Sequence, residues 1–303
     1  MPTDRSTPST SRHPLLPDIT MRQLEYLVAI DEAPTWALAA ERVGVSPSAL
    51  SQGLAELERR IGIDLFENVG RRRILRVTAT PVLEYARQVV TLTTDLTRWS
   101  TRLREGESGS VRLGMIDVAA VVHFPDVLRS FRSERTEVEL MLSVAPSRSL
   151  LEDLAGGRLD LAVCVEPPEP LAGIETVSLL SESLAVYAPP GTEIGAPSTW
   201  GPWVLFPADS HTRRAVDERL VERGARLDIA AESHQPDVLR EMVQLGIGWT
   251  VLPRTQGEVA QTNLVVGEQL LKRKLVLARR SKSVHDPAAD DLAARLRRRP
   301  EPT

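Results

Sequence analysis

The chain has 303 residues, 37 of them Lys or Arg and 41 Asp or Glu, and 42% of it is hydrophobic; such a composition supports two or three folded domains and excludes disorder throughout. A net charge of −4 excludes a wholly basic nucleic-acid binder but leaves room for a local basic patch. No apolar run reaches the ~18 residues of a membrane span, and one cysteine, Cys164, excludes an internal disulfide and a cysteine-rich zinc site.

Residues 1–18 carry four prolines among Ser, Thr and Arg and read as a disordered tail. They contain no apolar leader segment, so the chain is expected in the reducing cytoplasm, away from any membrane. Three helices follow. Thr20 can cap the first, with Leu24, Leu27 and Val28 on one face. Pro34 stops it and Thr35 can cap the second, where Trp36, Ala39, Ala40 and Val43 recur at helical spacing. Gly44 ends that helix, Ser46 can cap the third, and Pro47 suits its first position. Leu50, Leu54, Leu57 and Ile61 form the apolar face, and Gly62 closes the helix. Two short helices joined by a glycine-containing turn make a helix-turn-helix. The outer face of the third helix carries Ser48, Ser51, Gln52 and Ala55, small and amide-bearing residues suited to base edges.

The run from Asp64 to Val77 reads as a β-hairpin turning at Asn68–Gly70, with Arg71, Arg72 and Arg73 at its tip. As a wing these arginines would reach phosphates or a minor groove; alone, such a run is a solvated basic cluster. Val82, Tyr85, Val89, Leu92, Leu96, Trp99 and Leu103 alternate spacings of three and four, a heptad seam that calls for a partner helix from a second subunit, the alternative being a helix packed on its own domain. Glu105–Gly109 breaks the helix.

Beyond it, strands and helices alternate. Strands at 111–115, 138–144 and 159–165, with helices at 121–131 and from Leu150 to Gly156, give the βαβαβ order of an open parallel sheet. Prolines 167, 168 and 170 mark a second lobe, with strands near 184–187, 203–206, 227–230 and 249–252 and helices near 213–223 and 237–245. Residues 274–278 return to the first lobe, and 290–298 form a last helix.

These residues resemble the LysR-type bacterial transcriptional regulators. The resemblance rests on Trp36, Ala39-Ala40, Val45-Ser46, Ala49-Leu50-Ser51, Leu57-Glu58, Gly62, Leu65-Phe66 and Val77-Thr78. Residues 157–160 and 245–253 are also similar to that family's effector domain. The resemblance implies an α+β multidomain fold: a winged helix-turn-helix over 19–80, a linker and dimerisation helix over 81–106, and a two-lobed α/β effector domain over 108–300, similar to periplasmic binding proteins. Lobe I would hold about 108–166 and 268–300, and lobe II about 167–267. It implies a sequence-specific regulator on double-stranded DNA, a homodimer or homotetramer controlled by a small-molecule effector, with RNA polymerase a candidate further partner and no cofactor or metal. DNA contacts would fall on Thr35, Trp36, Ser46, Pro47, Ser48, Ser51, Gln52 and Arg71–Arg73. Pro47-Ser48 stands where the family commonly has Gln-Pro, and Gln52 where it often has Arg, which implies a changed base preference. Ala79-Thr80-Pro81 is about two residues shorter than the usual linker start.

Effector contacts implied by the resemblance are Ile116, Asp117 and Val118 after the first strand, Ser147 on the opposing turn, and Val165 and Glu166 after the third strand. The second lobe offers Phe206, His211, Thr212, His234 and Trp249. Asp117 would repel an anion, and Val165 stands where some aromatic-acid sensors carry an arginine. A neutral or cationic effector is therefore expected; the alternative for Asp117 is a helix N-cap. A small-molecule binding protein without DNA activity is the alternative for the chain as a whole, and an enzyme assembled from Ser147, His211 and Asp117 is a third. No nucleophile elbow, phosphate loop or metalloprotease motif supports the enzyme, so no catalytic activity is expected.

Overall fold

The computed structural model describes residues 18–70, 72–105, 109–260, 262–283 and 286–298, with backbone alone for 72 and 102–105. The proposed tail up to residue 17 and Arg71 lie outside the described residues, as do the side chains of Arg72 and Leu103. Two compact units divide the chain, residues 1–90 and 91–303.

The first unit holds α1 (Met21–Glu32), α2 (Trp36–Arg42), α3 (Pro47–Ile61) and a hairpin of β1 (Phe66–Val69) and β2 (Arg72–Leu75). Local chemistry sets each boundary. Thr20 and Gln23 form a capping box on α1, Thr35 caps α2, and Ser46 caps α3 ahead of Pro47. Gly62 takes the left-handed conformation that ends α3, at φ 79°. Leu24, Leu27, Ala39, Ala40, Leu50, Leu54 and Leu57 are buried together, joined by Leu65 and Phe66 of the hairpin. Where α3 crosses α1, a Cβ on Gly53 would stand 2.7 Å from the Tyr26 ring, so only glycine permits that approach. Val69 pairs with Arg72, and the turn between them opens with Gly70 at φ 63°.

α4 (Thr80–Glu105) follows a short turn over Val77–Ala79, with Pro81 in its first turn, where a missing N–H is tolerated. Its 26 residues rise about 39 Å.

The second unit is built on a six-stranded sheet. β3 (Ser110–Met115), β4 (Glu139–Val144) and β5 (Leu161–Val165) are parallel, linked by α5 (Pro125–Glu134) and α6 (Ser147–Ala155). The expected single helix over 121–131 is two pieces: a wide turn of π-helix over Ala119–His123 and then α5, where Pro125 starts a new helix. β6 (Ile174–Ala188) and β10 (Val265–Arg280) run antiparallel along each other, and β9 (Thr250–Pro253) completes the order β4-β3-β5-β10-β6-β9. α7 (His211–Glu222), α8 (Pro236–Gln244) and the single turn α9 (Arg254–Gly257) cover the second lobe, which adds the pair β7 (Trp203–Leu205) and β8 (Ile229–Glu232). α10 (Pro287–Arg297) packs its Leu292 and Leu296 into the first lobe.

β6 and β10 pass through both lobes. Ile174, Leu179 and Leu180 pack on the first lobe's core, whereas Leu184, Leu270 and Leu271 pack in the second. The lobe boundaries therefore fall near residues 181 and 273, not at 167 and 268. Trp249, expected among the effector contacts, sits instead in the second lobe's core, its ring stacked 5.9 Å from Trp200.

Candidate functional site

At the start of α3, Pro47, Ser48 and Gln52 are exposed and Ser51 is half-exposed. Ser46 Oγ accepts the Ala49 N–H at 3.2 Å and shares a hydrogen bond with Ser48 Oγ at 3.0 Å. Thr35, at the head of α2, is also exposed. Two of the expected DNA contacts turn inward. The Trp36 indole donates to the Arg73 carbonyl at 3.2 Å, and its ring meets Phe66 edge-on at 5.1 Å. The Arg73 guanidinium lies over both rings and pairs with Glu58 at 2.8 Å. Glu58 Oε1 also accepts the N–H groups of Leu65 and Phe66, at 2.9 and 3.1 Å. Trp36, Glu58 and Arg73 thus clamp the wing to the helices. Its place on β2, opposite Asn68 of β1, brings Arg73 beside Glu58.

The seam of α4 divides. Val82 and Val89 lean on the first unit's core, together with Leu83 and Ala86, which the heptad reading missed. Tyr85, Leu96 and Trp99 are 58%, 55% and 45% exposed, and Leu92 is half-buried. Further along, the helix is fixed within the second unit. Arg280 on β10 donates to Asp95 at 2.8 Å and to the carbonyls of Leu154 and Leu159, each at 2.7 Å, all of it buried. Arg98 donates to the Gly157 carbonyl at 2.9 Å.

Between the lobes lies a cleft of about 580 Å³. Nine of the eleven expected effector residues line it: Ile116, Asp117, Val118, Ser147, Val165, Phe206, His211, Thr212 and His234. Glu166 does not; it pairs with Lys274 at 3.4 Å, because the side chain after Val165 turns to the other side of the chain. The wall also includes Arg148, Asp209, Asp237, Gln256 and Arg273. Asp117 does not cap a helix: its Oδ1 accepts the Gln256 amide at 2.7 Å. Burial pushes the Asp117 carboxyl above the ordinary aspartate range, against that hydrogen bond. Burial likewise lowers His211, which favours the neutral imidazole. Ser147 Oγ accepts the Val165 N–H at 3.1 Å and His211 Nδ1 stands 3.5 Å from the Val165 carbonyl, so Ser147, His211 and Asp117 do not bond one another.

Behind the cleft, the crossing strands carry a buried polar cluster. Glu182 on β6 accepts Arg273 Nε from β10 at 2.8 Å and lies 2.6 Å from His123 Nε2 of the first lobe. Arg273 Nη1 donates to Thr212 Oγ1 of the second lobe at 2.9 Å. Burial works to raise Glu182, but the His123 hydrogen bond and the Arg273 charge outweigh it and hold the carboxyl below its usual range. Sequence reading missed Arg273 and Gln256: Gln256 lies 139 residues from Asp117 and Arg273 lies 91 residues from Glu182, and neither belongs to a local motif.

A winged helix-turn-helix joined to a two-lobed, cleft-bearing α/β unit defines a DNA-binding regulator with a small-molecule module. The chain belongs to the LysR family of transcriptional regulators. The family profile described as "Bacterial regulatory helix-turn-helix protein, lysR family" matches residues 21–81, and "LysR substrate binding domain" matches residues 104–301. Among its relatives, a hydrogen peroxide-inducible genes activator from Dickeya chrysanthemi is 28% identical over 244 residues, covering 78% of this chain and 79% of that one. Full-length OxyR from Pseudomonas aeruginosa shares the fold at TM-score 0.61 and 21% identity, over 92% of this chain and 95% of that one. CbnR in complex with its target DNA does so at TM-score 0.57 and 19% identity, over 92% and 99%. No helix among the described residues is long and apolar enough to cross a membrane.

Proposed function

We propose that the exposed start of α3 reads the base edges of an operator while the wing tip holds its phosphates, and that a small molecule in the interlobe cleft controls the outcome. Thr35, Ser46, Pro47, Ser48, Ser51 and Gln52 supply the helix contacts, and Arg71 and Arg72 the wing contacts. Trp36 and Arg73 drop out of this set because the domain's own packing engages both. The observation that carries the reading is the pairing of a small, uncharged α3 surface with a wing fastened beside it by Glu58. Tyr85, Leu92, Leu96 and Trp99 form the subunit contact, which places two recognition helices on one face of the duplex at a multiple of ~10 bp. The protein acts in the cytoplasm, as a dimer or a pair of dimers, and catalyses no reaction. Binding titrations on the upstream intergenic DNA test this; affinity without sequence preference overturns it.

Thiol oxidation, suggested by the peroxide-responsive relative, does not suit this chain. Cys164 is fully buried on β5, and burial pushes its thiol up to about 12, far from the thiolate that reacts with peroxide. The signal is a bound molecule.

A further inference from the structure

The charged side chains of the cleft wall come with partners of opposite sign, with one exception. Arg148 faces Asp209 at 3.8 Å, Asp237 is held by Arg240 at 2.6 Å, and Arg273 by Glu182 at 2.8 Å. Among the described residues Asp117 makes no ion pair: its hydrogen-bond partner is the neutral carboxamide of Gln256, and the nearby Arg273 is already engaged by Glu182. The Asp117 carboxylate is half-buried, where an unpaired charge is more costly than on a solvated surface. The Asp117–Gln256 bond also crosses the cleft, since Asp117 follows β3 of the first lobe and Gln256 belongs to α9 of the second. Gln256 is 6% exposed, and its Oε1 has no hydrogen-bond partner. That buried oxygen shares a carbon with the nitrogen that donates to Asp117, so each lobe brings one acceptor to this contact.

A protonated amine fits this pair. It is a compact cation with three N–H donors and no acceptor. One N–H satisfies the carboxylate, and a second satisfies Oε1 on a turn of the Gln256 carboxamide toward the cleft. A carboxylate at the same place would stand against Asp117 at short range, where like charges in a poorly solvated cleft repel strongly. Next to Asp117, Ile116, Val118 and Phe206 give an apolar surface for a carbon chain.

We propose that the effector carries a protonated amine seated on Asp117 of the first lobe and Gln256 of the second. The proposal rests on the reading of the cleft as the effector site. Two sources share this chemistry, a simple amine or diamine and an amino acid. The latter would also present its carboxylate to the N-termini of α6 and α7, which open on the same cleft without a side-chain cap.

Calorimetric titration of the full-length protein tests it, with putrescine as the diamine, lysine, arginine and serine as amino acids, and butyrate and benzoate as acids without nitrogen. An amine-bearing probe is expected to bind. Asp117→Asn, of the same shape, is expected to weaken it about 10- to 100-fold, as for loss of a charged hydrogen bond, with partial recovery in Asp117→Glu. Binding of putrescine assigns the simple amine; binding of amino acids alone assigns the zwitterion. The proposal is overturned if no amine binds at millimolar concentration, if Asp117→Asn binds as well as the wild type, or if only a nitrogen-free acid binds. Ser149→Trp separates the two levels of the reading. It fills the cleft from an exposed position, and a probe that binds this variant unchanged would refute the cleft as effector site.

Discussion

Glu58 offers a direct test of how the wing is held. Its carboxylate accepts the part-buried N–H groups of Leu65 and Phe66 and the Arg73 guanidinium. Glu58→Ala leaves two backbone donors without their acceptor and one guanidinium without its anion. At about 1–3 kcal/mol for each buried group left unpaired, the first unit should lose about 3–5 kcal/mol. For a unit of this size such a loss lowers its melting temperature by at least ~12 °C. Glu58→Gln keeps one oxygen for the two N–H groups and gives up only the charge, so its cost should be about 1–2 kcal/mol. Scanning calorimetry of the full-length protein reads both effects, in the transition that operator DNA raises. DNA affinity should fall with the wing for every sequence alike. If Glu58→Ala melts within ~2 °C of the wild type, or if Glu58→Gln costs as much as Glu58→Ala, the clamp is not what positions the wing.

Gln52→Ala should change base preference in selection experiments while keeping the salt dependence of binding, whereas Arg72→Ala should weaken all sequences and lower the salt slope by about one. Asp95→Asn removes the anion facing the buried Arg280 and should cost the second unit about 3–5 kcal/mol in urea unfolding; a loss below ~1 kcal/mol would mean that the pair is not what fixes the helix there. Trp99→Glu places a charge on the exposed α4 stripe and should reduce the mass seen by light scattering; an unchanged mass would move the subunit contact elsewhere. Cys164 should resist thiol reagents near neutral pH until the chain unfolds, and peroxide should leave operator affinity unchanged; a rapid native-state reaction would contradict its burial.

The helix boundaries of the first unit were legible because caps and stops are local: Thr20, Thr35, Ser46, Gly44 and Gly62 act within a few residues of themselves. The βαβαβ order and the positions of most cleft residues were legible for a related reason, since turns at the ends of parallel strands gather on one side of a sheet. The direction of each side chain was not. Arg73 reads like its neighbours in a basic run, and only its place on β2 opposite Asn68 brings it to Glu58. Val82 and Leu96 share one helical stripe, yet one leans on a core and the other stays exposed, because what lies beside a helix is set by packing and not by period.

The longest strands were the least visible. In β6 the residues from Ile174 to Ser183 are largely polar or exposed, so no buried run announces them; their partner is β10, about ninety residues away. Long separations also hid Gln256, 139 residues from Asp117, and Arg273, 91 residues from Glu182. Sequence alone determined that this protein has a helix-turn-helix, a hairpin after it, a long helix and a βαβαβ run, because each is built from contacts close along the chain. Tertiary structure alone decided that Arg73 is held by Glu58 and that Asp117 meets Gln256, because a charged group is paired by whatever folding brings beside it, however distant in sequence.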